Sequence, residues 1–99
     1  MRFEWDEGKN RRNIAKHRIS FETARLVFDD PRVLLQRDRI VDGEERWQAL
    51  GLIGGAVVIL VAHTIRQERA EEVIRIVSAR KAAAAERRAY EEAYEETDQ

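Results

Sequence analysis

The pattern of hydrophobic and polar positions changes period along this chain, and the changes mark the predicted elements. Residues 2–5 alternate polar and apolar side chains, which is typical of a short strand. Asp6 is a favourable helix N-cap, and the following pattern predicts a first helix that ends near His17. Ser20 is a second N-cap, for a helix that ends at the Asp-Asp-Pro of 29–31 because a residue before proline avoids the helical region.

The rest of the chain carries strand patterns followed by a helical pattern. Four further strands are predicted: one that begins at 33–36, and three at 46–53, 56–64 and 73–78. They are connected by turns at Gly43 and at Gly54 and Gly55 and by a loop at 67–71. The apolar residues 56–62 lack alternation, which predicts a central strand covered on both faces. A terminal helix is predicted from Ala79 or Arg80 towards Tyr94. The predicted fold is α+β, a twisted and mainly antiparallel sheet with element order β-α-α-β-β-β-β-α.

Length and composition narrow the class of protein. A chain of 99 residues is expected to form one domain over 1–99. It has no cysteine, which excludes disulfides and thiolate chemistry. No apolar segment suits a signal peptide, and the longest strongly apolar run, Ala56–Ala62, is far shorter than the roughly 20 residues of a membrane-spanning helix. We therefore expect a cytoplasmic protein without a membrane partner.

Charge is distributed unevenly along the chain. The net charge is −1, which alone argues against a nucleic-acid ligand. The segment 86–99 has six acidic residues and two arginines, so it carries −4 and leaves +3 on the rest. We interpret this acidic helical tail as a solvated helix end, with repulsion of RNA or docking of a partner as the alternative.

The titratable residues favour one kind of chemistry. The chain has no phosphate-binding loop or nucleophile elbow, and with two histidines and no cysteine we expect no metal site and no cofactor. Eight cationic side chains fall on predicted strands or at element ends: Lys16, His17, Arg46, His63, Arg66, Arg75, Arg80 and Lys81. Such a set suits metal-free RNA cleavage, in which a base activates the ribose 2′-hydroxyl and cations stabilise the phosphorane. A histidine can transfer the proton because its ordinary pKa is about 6.5.

Each candidate also has a structural explanation. Lys16 and His17 lie near a helix C-terminus, where cations stabilise the macrodipole. His63 ends an apolar strand, where a core histidine is the commoner case. Arg46 and Arg75 interrupt strand patterns and would form an anion site if they shared a sheet face, but surface ion pairs with nearby glutamates would also explain them.

Arg80 is expected at the start of the terminal helix, where backbone amides would help it to hold a phosphate. Trp5 and Trp47 are expected to pack rather than to stack on bases.

An ordered set of residues resembles the signature of the BrnT toxins. It consists of Phe3, Trp5, Asp6, Lys9, Asn13, Lys16, His17, Ser20, Phe21, Ala24, Val27, Phe28 and Asp30, then Glu45, Arg46 and Arg66, and finally the run 75–82. The resemblance implies a small RelE-like endoribonuclease, silenced by a BrnA-like ribbon-helix-helix antitoxin that forms a heterotetramer with it and binds operator DNA. It implies catalytic roles for His17, Lys16, Arg46, Arg75 and Arg80, and RNA contacts for Arg66 and Lys81. His63 is a further candidate for an RNA contact on its residue type alone.

The chain departs from the family pattern after Lys81, where four alanines replace basic and polar residues. This departure leaves open a second interpretation, in which a weak or inactive toxin serves as an antitoxin-binding corepressor.

Overall fold

The computed structural model describes the backbone of residues 1–97 and the side chains up to residue 93. Along this part of the chain the elements are β1 (Arg2–Glu4), α1 (Glu7–His17), α2 (Phe21–Ala24), a 3-10 helix (Arg25–Asp29), β2 (Leu34–Val41), β3 (Glu44–Ile53), β4 (Val57–Glu68), β5 (Glu71–Lys81) and α3 (Ala84–Thr97). The predicted α+β class and element order are confirmed. The second predicted helix is split into α2 and the 3-10 helix.

The strands form one sheet in the order β1-β5-β4-β3-β2. Only the β1–β5 pair is parallel, so the sheet is mixed but mainly antiparallel among the described residues. The apolar strand β4 lies in the middle, as its lack of alternation predicts.

Apolar side chains cover both faces of the sheet. On one face, Phe21 and Val27 from the helices pack against β-strand residues such as Ile76. On the other face, Tyr90 of α3 packs against Leu50 and Leu60. Since α3 covers only part of this second face, polar residues of the same strands remain uncovered.

Side chains define where the N-terminal helices begin. Asp6 accepts a hydrogen bond from the Lys9 amide at 2.9 Å, and Ser20 accepts one from the Thr23 amide at 3.1 Å. Both predicted N-caps are confirmed. Helix α1 ends at His17, and Arg18 caps it in the left-handed conformation with φ of 62°.

Two predicted boundaries are wrong. The terminal helix begins at Ala84 rather than at Ala79 or Arg80, because β5 continues to Lys81. Ala79 is fully buried in the sheet core, so tertiary packing overrides the helix propensity of the alanine-rich segment. The predicted loop at 67–71 is only a two-residue turn, because the backbone pairing of β4 with β5 continues to Glu68 and Glu71.

Asp30 anchors α3 to the sheet. Its carboxylate accepts hydrogen bonds from the Tyr90 hydroxyl at 2.5 Å, from the Leu52 amide at 2.8 Å and from the Arg32 amide at 2.9 Å. Burial raises the pKa of Asp30, but these hydrogen bonds outweigh burial and leave the pKa below its ordinary value.

Asp30→Asn is therefore expected to lower the free energy of unfolding at pH 7 by about 1–3 kcal/mol. A carboxylate with a lowered pKa stabilises the fold above its ordinary pKa of about 3.9, and this stabilisation is lost as the pH falls through the folded-state value. Urea unfolding at pH 7 and at pH 3 measures both effects. The difference between wild type and variant should shrink in acid, whereas the exposed neighbour variant Asp29→Asn should match wild type at both pH values.

Candidate functional site

A groove follows the outer edge of β5. Strand β1 pairs only with Val73–Arg75, so the edge of β5 beyond Arg75 has no neighbouring strand in the part of the sheet that the structure describes. Helix α1 continues the direction of β1 and lies beside this edge. Three concavities follow this edge, and we call them together the edge groove. The first lies where β1 ends and is lined by Glu4, Trp5, Asp6 and Arg75. The other two lie between α1 and β5 and share Lys16 and His17; their other lining residues are Lys9, Arg12, Asn13, Val77, Ser78, Arg18, Ile19, Arg80 and Lys81.

The helical period explains why α1 contributes several cations to the edge groove. Lys9, Arg12 and Lys16 lie at positions i, i+3 and i+7, which share one face of a helix. His17 follows in the same last turn and is half-buried. Lys81 approaches the same region from the end of β5. The sequence-predicted residues Lys16, His17, Arg80 and Lys81 are thus brought together.

The edge groove is strongly basic although the chain is not. Its lining has seven lysines and arginines and one histidine, against two acidic residues. Six of the seven lysines and arginines form no ion pair with any residue that the structure describes: Lys9, Arg12, Lys16, Arg18, Arg75 and Lys81. Unpaired cations along one groove favour a polyanionic ligand.

Arg80 has a partner within the protein. Its two terminal guanidinium nitrogens donate to the Glu86 carboxylate at 2.8 Å and 2.9 Å. These hydrogen bonds raise the pKa of Arg80 and lower that of Glu86. The expectation that helix amides assist Arg80 in binding phosphate is wrong, because Arg80 lies within β5 and α3 begins four residues later.

Arg46 and Arg75 lie on the sheet face that α3 leaves partly open. Arg75 is paired in register with Glu4 on β1 and Thr64 on β4, and the register of β3 and β4 places Arg46 on the other side of Thr64. Residues that are paired directly across neighbouring strands direct their side chains to the same face of the sheet, so Arg46 and Arg75 share one face. Neither arginine forms an ion pair among the described residues, and the Arg46 Nε is buried without a described acceptor. Arg75 also lines the first part of the edge groove.

Arg66 lies on the same face but is held by carboxylates. Its guanidinium donates to Glu4 and Glu68, and the hydrogen bond to Glu4 is the main reason that the pKa of Arg66 is raised. An RNA contact by Arg66 must compete with both glutamates.

His63 is fully buried, and the structure supports the core interpretation of this residue instead of RNA contact. Its Nδ1 donates to the Val61 carbonyl oxygen at 3.1 Å, and its ring packs edge-to-face on Phe28 with centroids 5.0 Å apart. Desolvation by burial lowers the pKa of His63, and the hydrogen bond to Val61 raises it. Desolvation is the larger effect, so the pKa lies below its ordinary value.

His63 is expected to make the fold sensitive to mild acid. The unfolded chain takes up a proton below the ordinary histidine pKa of about 6.5, whereas buried His63 resists protonation. The free energy of unfolding should therefore fall as the pH drops below about 6.5. Urea unfolding between pH 7.5 and pH 5 checks this. The chain has two histidines, so His63→Leu should flatten the pH dependence and His17→Ala should retain it.

Sequence reasoning did not identify Lys9, Arg12 and Arg18 as groove residues. The spacing of Lys9, Arg12 and Lys16 was a signal for them, but the position of β5 beside that helical face was not visible in the sequence. Trp5 packs edge-to-face with Phe21 at 6.2 Å, as expected for a structural anchor, and Arg37 lies over the Trp47 ring at 5.4 Å.

A comparison with protein families decides the affiliation of the chain. The profile of the family described as "Ribonuclease toxin, BrnT, of type II toxin-antitoxin system" matches residues 5–86. The chain belongs to the BrnT family. The resemblance noted in the sequence is thereby confirmed, and BrnT membership implies ribonuclease activity and an antitoxin partner.

A solved BrnT structure has a similar fold. The crystal structure of the Brucella abortus ribonuclease toxin BrnT is 25% identical in sequence, and the match covers 84% of this chain and 97% of that chain with a TM-score of 0.58. A search of curated proteins gives no match. In the described part of this BrnT chain, no helix is both long and apolar enough to cross a membrane, and no group of three or more His, Asp or Glu side chains is arranged to hold a metal ion.

Proposed function

We propose that this chain is a toxin that cuts RNA internally without a metal ion and that the RNA backbone lies in the edge groove. One observation carries the proposal: His17 lies in the same groove as unpaired Lys16 and Lys81. A proton-transfer group beside cations is the arrangement that cleavage at a phosphate requires. Arg75 at the other end of the groove extends the basic track, and Arg46 continues it across the open sheet face.

In the proposed reaction the ribose 2′-hydroxyl attacks the adjacent phosphorus and the bond to the 5′-oxygen breaks. The 2′-hydroxyl loses a proton and the 5′-oxygen gains one; His17 carries one of these two protons and water carries the other. Lys16 and Lys81 stabilise the charge on the phosphorane, and Arg75, six residues away along β5, binds another phosphate of the RNA backbone. The products are a 2′,3′-cyclic phosphate and a 5′-hydroxyl, so atoms and protons balance without a cofactor. Arg80 contributes less, because Glu86 neutralises it.

The proposed partner is a BrnA-like ribbon-helix-helix antitoxin, which covers the edge groove and forms a heterotetramer. Operator DNA is bound only through the antitoxin. The proposed site of action is the cytoplasm, where cleavage of RNA inhibits translation and growth. A basic groove in which every lysine and arginine except Arg80 lacks an ion-pair partner among the described residues supports both RNA binding and cover by an antitoxin.

A corepressor without nuclease activity is the second candidate. The ion pair of Arg80 with Glu86 and the absence of cations in 82–85 favour it, because both reduce the basic character near His17.

Purified chain incubated with RNA in the presence of EDTA distinguishes the two functions. A nuclease of the proposed kind should cut all-ribose RNA, leave the 2′-deoxy analogue intact and produce 2′,3′-cyclic phosphate ends. Induction of the chain in a bacterium should arrest growth, and co-expression of the antitoxin should relieve the arrest. Intact RNA with repression by the antitoxin complex would support the corepressor instead, and cleavage only with added metal would contradict the proposed mechanism.

A further inference from the structure

The buried amide of Asn13 occupies the free edge of β5. Asn13 is only 7% exposed. Its Oδ1 accepts a hydrogen bond from the Ala79 amide at 3.1 Å, and its Nδ2 donates to the Ala79 carbonyl oxygen at 2.9 Å. The same Nδ2 donates to the carbonyl oxygen of Ile19 at 2.9 Å. A side-chain amide thus satisfies both backbone groups of Ala79, as a neighbouring strand would do.

This contact fixes α1 at one point along the edge groove. Ala79 lies between Ser78 and Arg80, which both line the groove. Lys16 and His17 follow Asn13 by three and four residues, so they project from the same side of α1. The separation between His17 on α1 and Lys81 on β5 therefore depends on the Asn13–Ala79 contact.

We infer that Asn13 is a positioning residue of the nuclease, which holds Lys16 and His17 at the distance from β5 that cleavage needs. The inference rests on the proposed function. Asn13 is expected to affect the cleavage rate as well as the stability of the fold, because a displacement of a catalytic group by about 1 Å can lower the rate about 100-fold.

Asn10 provides a matched control on the same helix. It is also buried, at 3% exposed, and its Oδ1 accepts from the Phe21 amide at 2.8 Å. Its Nδ2 donates to Glu7 at 2.7 Å. Asn10 therefore connects α1 to α2 and does not line the edge groove. Loss of its amide should destabilise the fold without moving α1 from β5.

The first test compares the kinetics of RNA cleavage by folded Asn13→Ala and Asn10→Ala. Asn13→Ala should lower kcat at least about tenfold with a much smaller change in KM, whereas Asn10→Ala should retain kcat. Because Asn13 acts through His17 and Lys16, Asn13→Ala should lower the rate clearly less in the His17→Ala background than in wild type, and the remaining loss is the part that acts through Lys16. Equal losses in the two asparagine variants, or additive losses with His17→Ala, would overturn the inference.

A second measurement does not depend on nuclease activity. The chain lacks cysteine, so cysteines introduced at Arg11 and Gln36 can carry spin labels that report the distance from α1 to the far side of the sheet. Asn13→Ala should lengthen or broaden this distance, and Asn10→Ala should not. An unchanged distance in Asn13→Ala would overturn the inference. Wild-type chain that cuts no RNA would defeat the proposed function, while the distance would still decide whether Asn13 sets the groove width.

Discussion

Replacing His17 with alanine is expected to lower the rate of RNA cleavage by about 10²- to 10⁴-fold. His17 lies in the edge groove beside Lys16, while the chain's other histidine, His63, is fully buried. Loss of the imidazole removes the proposed proton-transfer group without removing any core side chain. Single-turnover cleavage of a defined RNA, measured in EDTA at matched folded concentration, gives the ratio of rates.

Arg11→Ala is the matched control for this prediction. Arg11 is exposed on α1 but does not line the edge groove, so the variant should cleave RNA at the wild-type rate. Lys16→Ala should show a smaller loss than His17→Ala and a reduced dependence of RNA affinity on salt concentration. If His17→Ala cleaved RNA as fast as wild type, His17 would be a helix C-terminal cation worth only about 0.3–1 kcal/mol of stability.

Helix caps and strand periodicity were sufficient to predict most elements of the fold. Asp6 and Ser20 act locally, and the uniform apolar run in β4 reflects burial on both faces, so each signal lies within a few neighbouring residues. The end of β5 could not be predicted in this way. Ala79 and Arg80 have helical propensity, but Ala79 fills a core position and is bonded by Asn13, which is 66 residues away in sequence.

The candidate site was also predicted only in part, because some of its contacts join residues that are far apart in sequence. Residue types and order indicated Lys16, His17 and Lys81. The interruption of two strand patterns by Arg46 and Arg75 raised the possibility of an anion site on one sheet face, but the sequence did not show whether they share a face. The sequence did not show that Arg80 would form an ion pair with Glu86, or that Arg66 would form ion pairs with Glu4 and Glu68. Which of many charged residues form an ion pair depends on how the strands and helices are placed in the fold, and the local sequence pattern does not contain this information.

Gly51→Ala is expected to destabilise the fold more than other single-methyl additions. A Cβ at Gly51 would lie 2.7 Å from the Val27 Cγ1, 2.9 Å from the Val27 carbonyl oxygen and 3.2 Å from the Val27 Cα. Two of these atoms belong to the backbone of the 3-10 helix, so a side-chain rotation cannot relieve the contact. Overpacking of this kind costs about 1–3 kcal/mol, and each kcal/mol corresponds to about 4–8 °C in Tm for a domain of this size.

A double-mutant cycle with Val27→Ala tests whether the contact is the cause. Val27→Ala removes Cγ1 but leaves the backbone atoms, so Gly51→Ala should cost less in that background than in wild type, although still more than zero. Gly8→Ala adds a methyl group within α1 near the movable side chains of Asp6 and Arg12, and it should change stability by less than about 1 kcal/mol. An equal cost of Gly51→Ala with and without the Val27 side chain would show that the strand itself, rather than this contact, requires glycine.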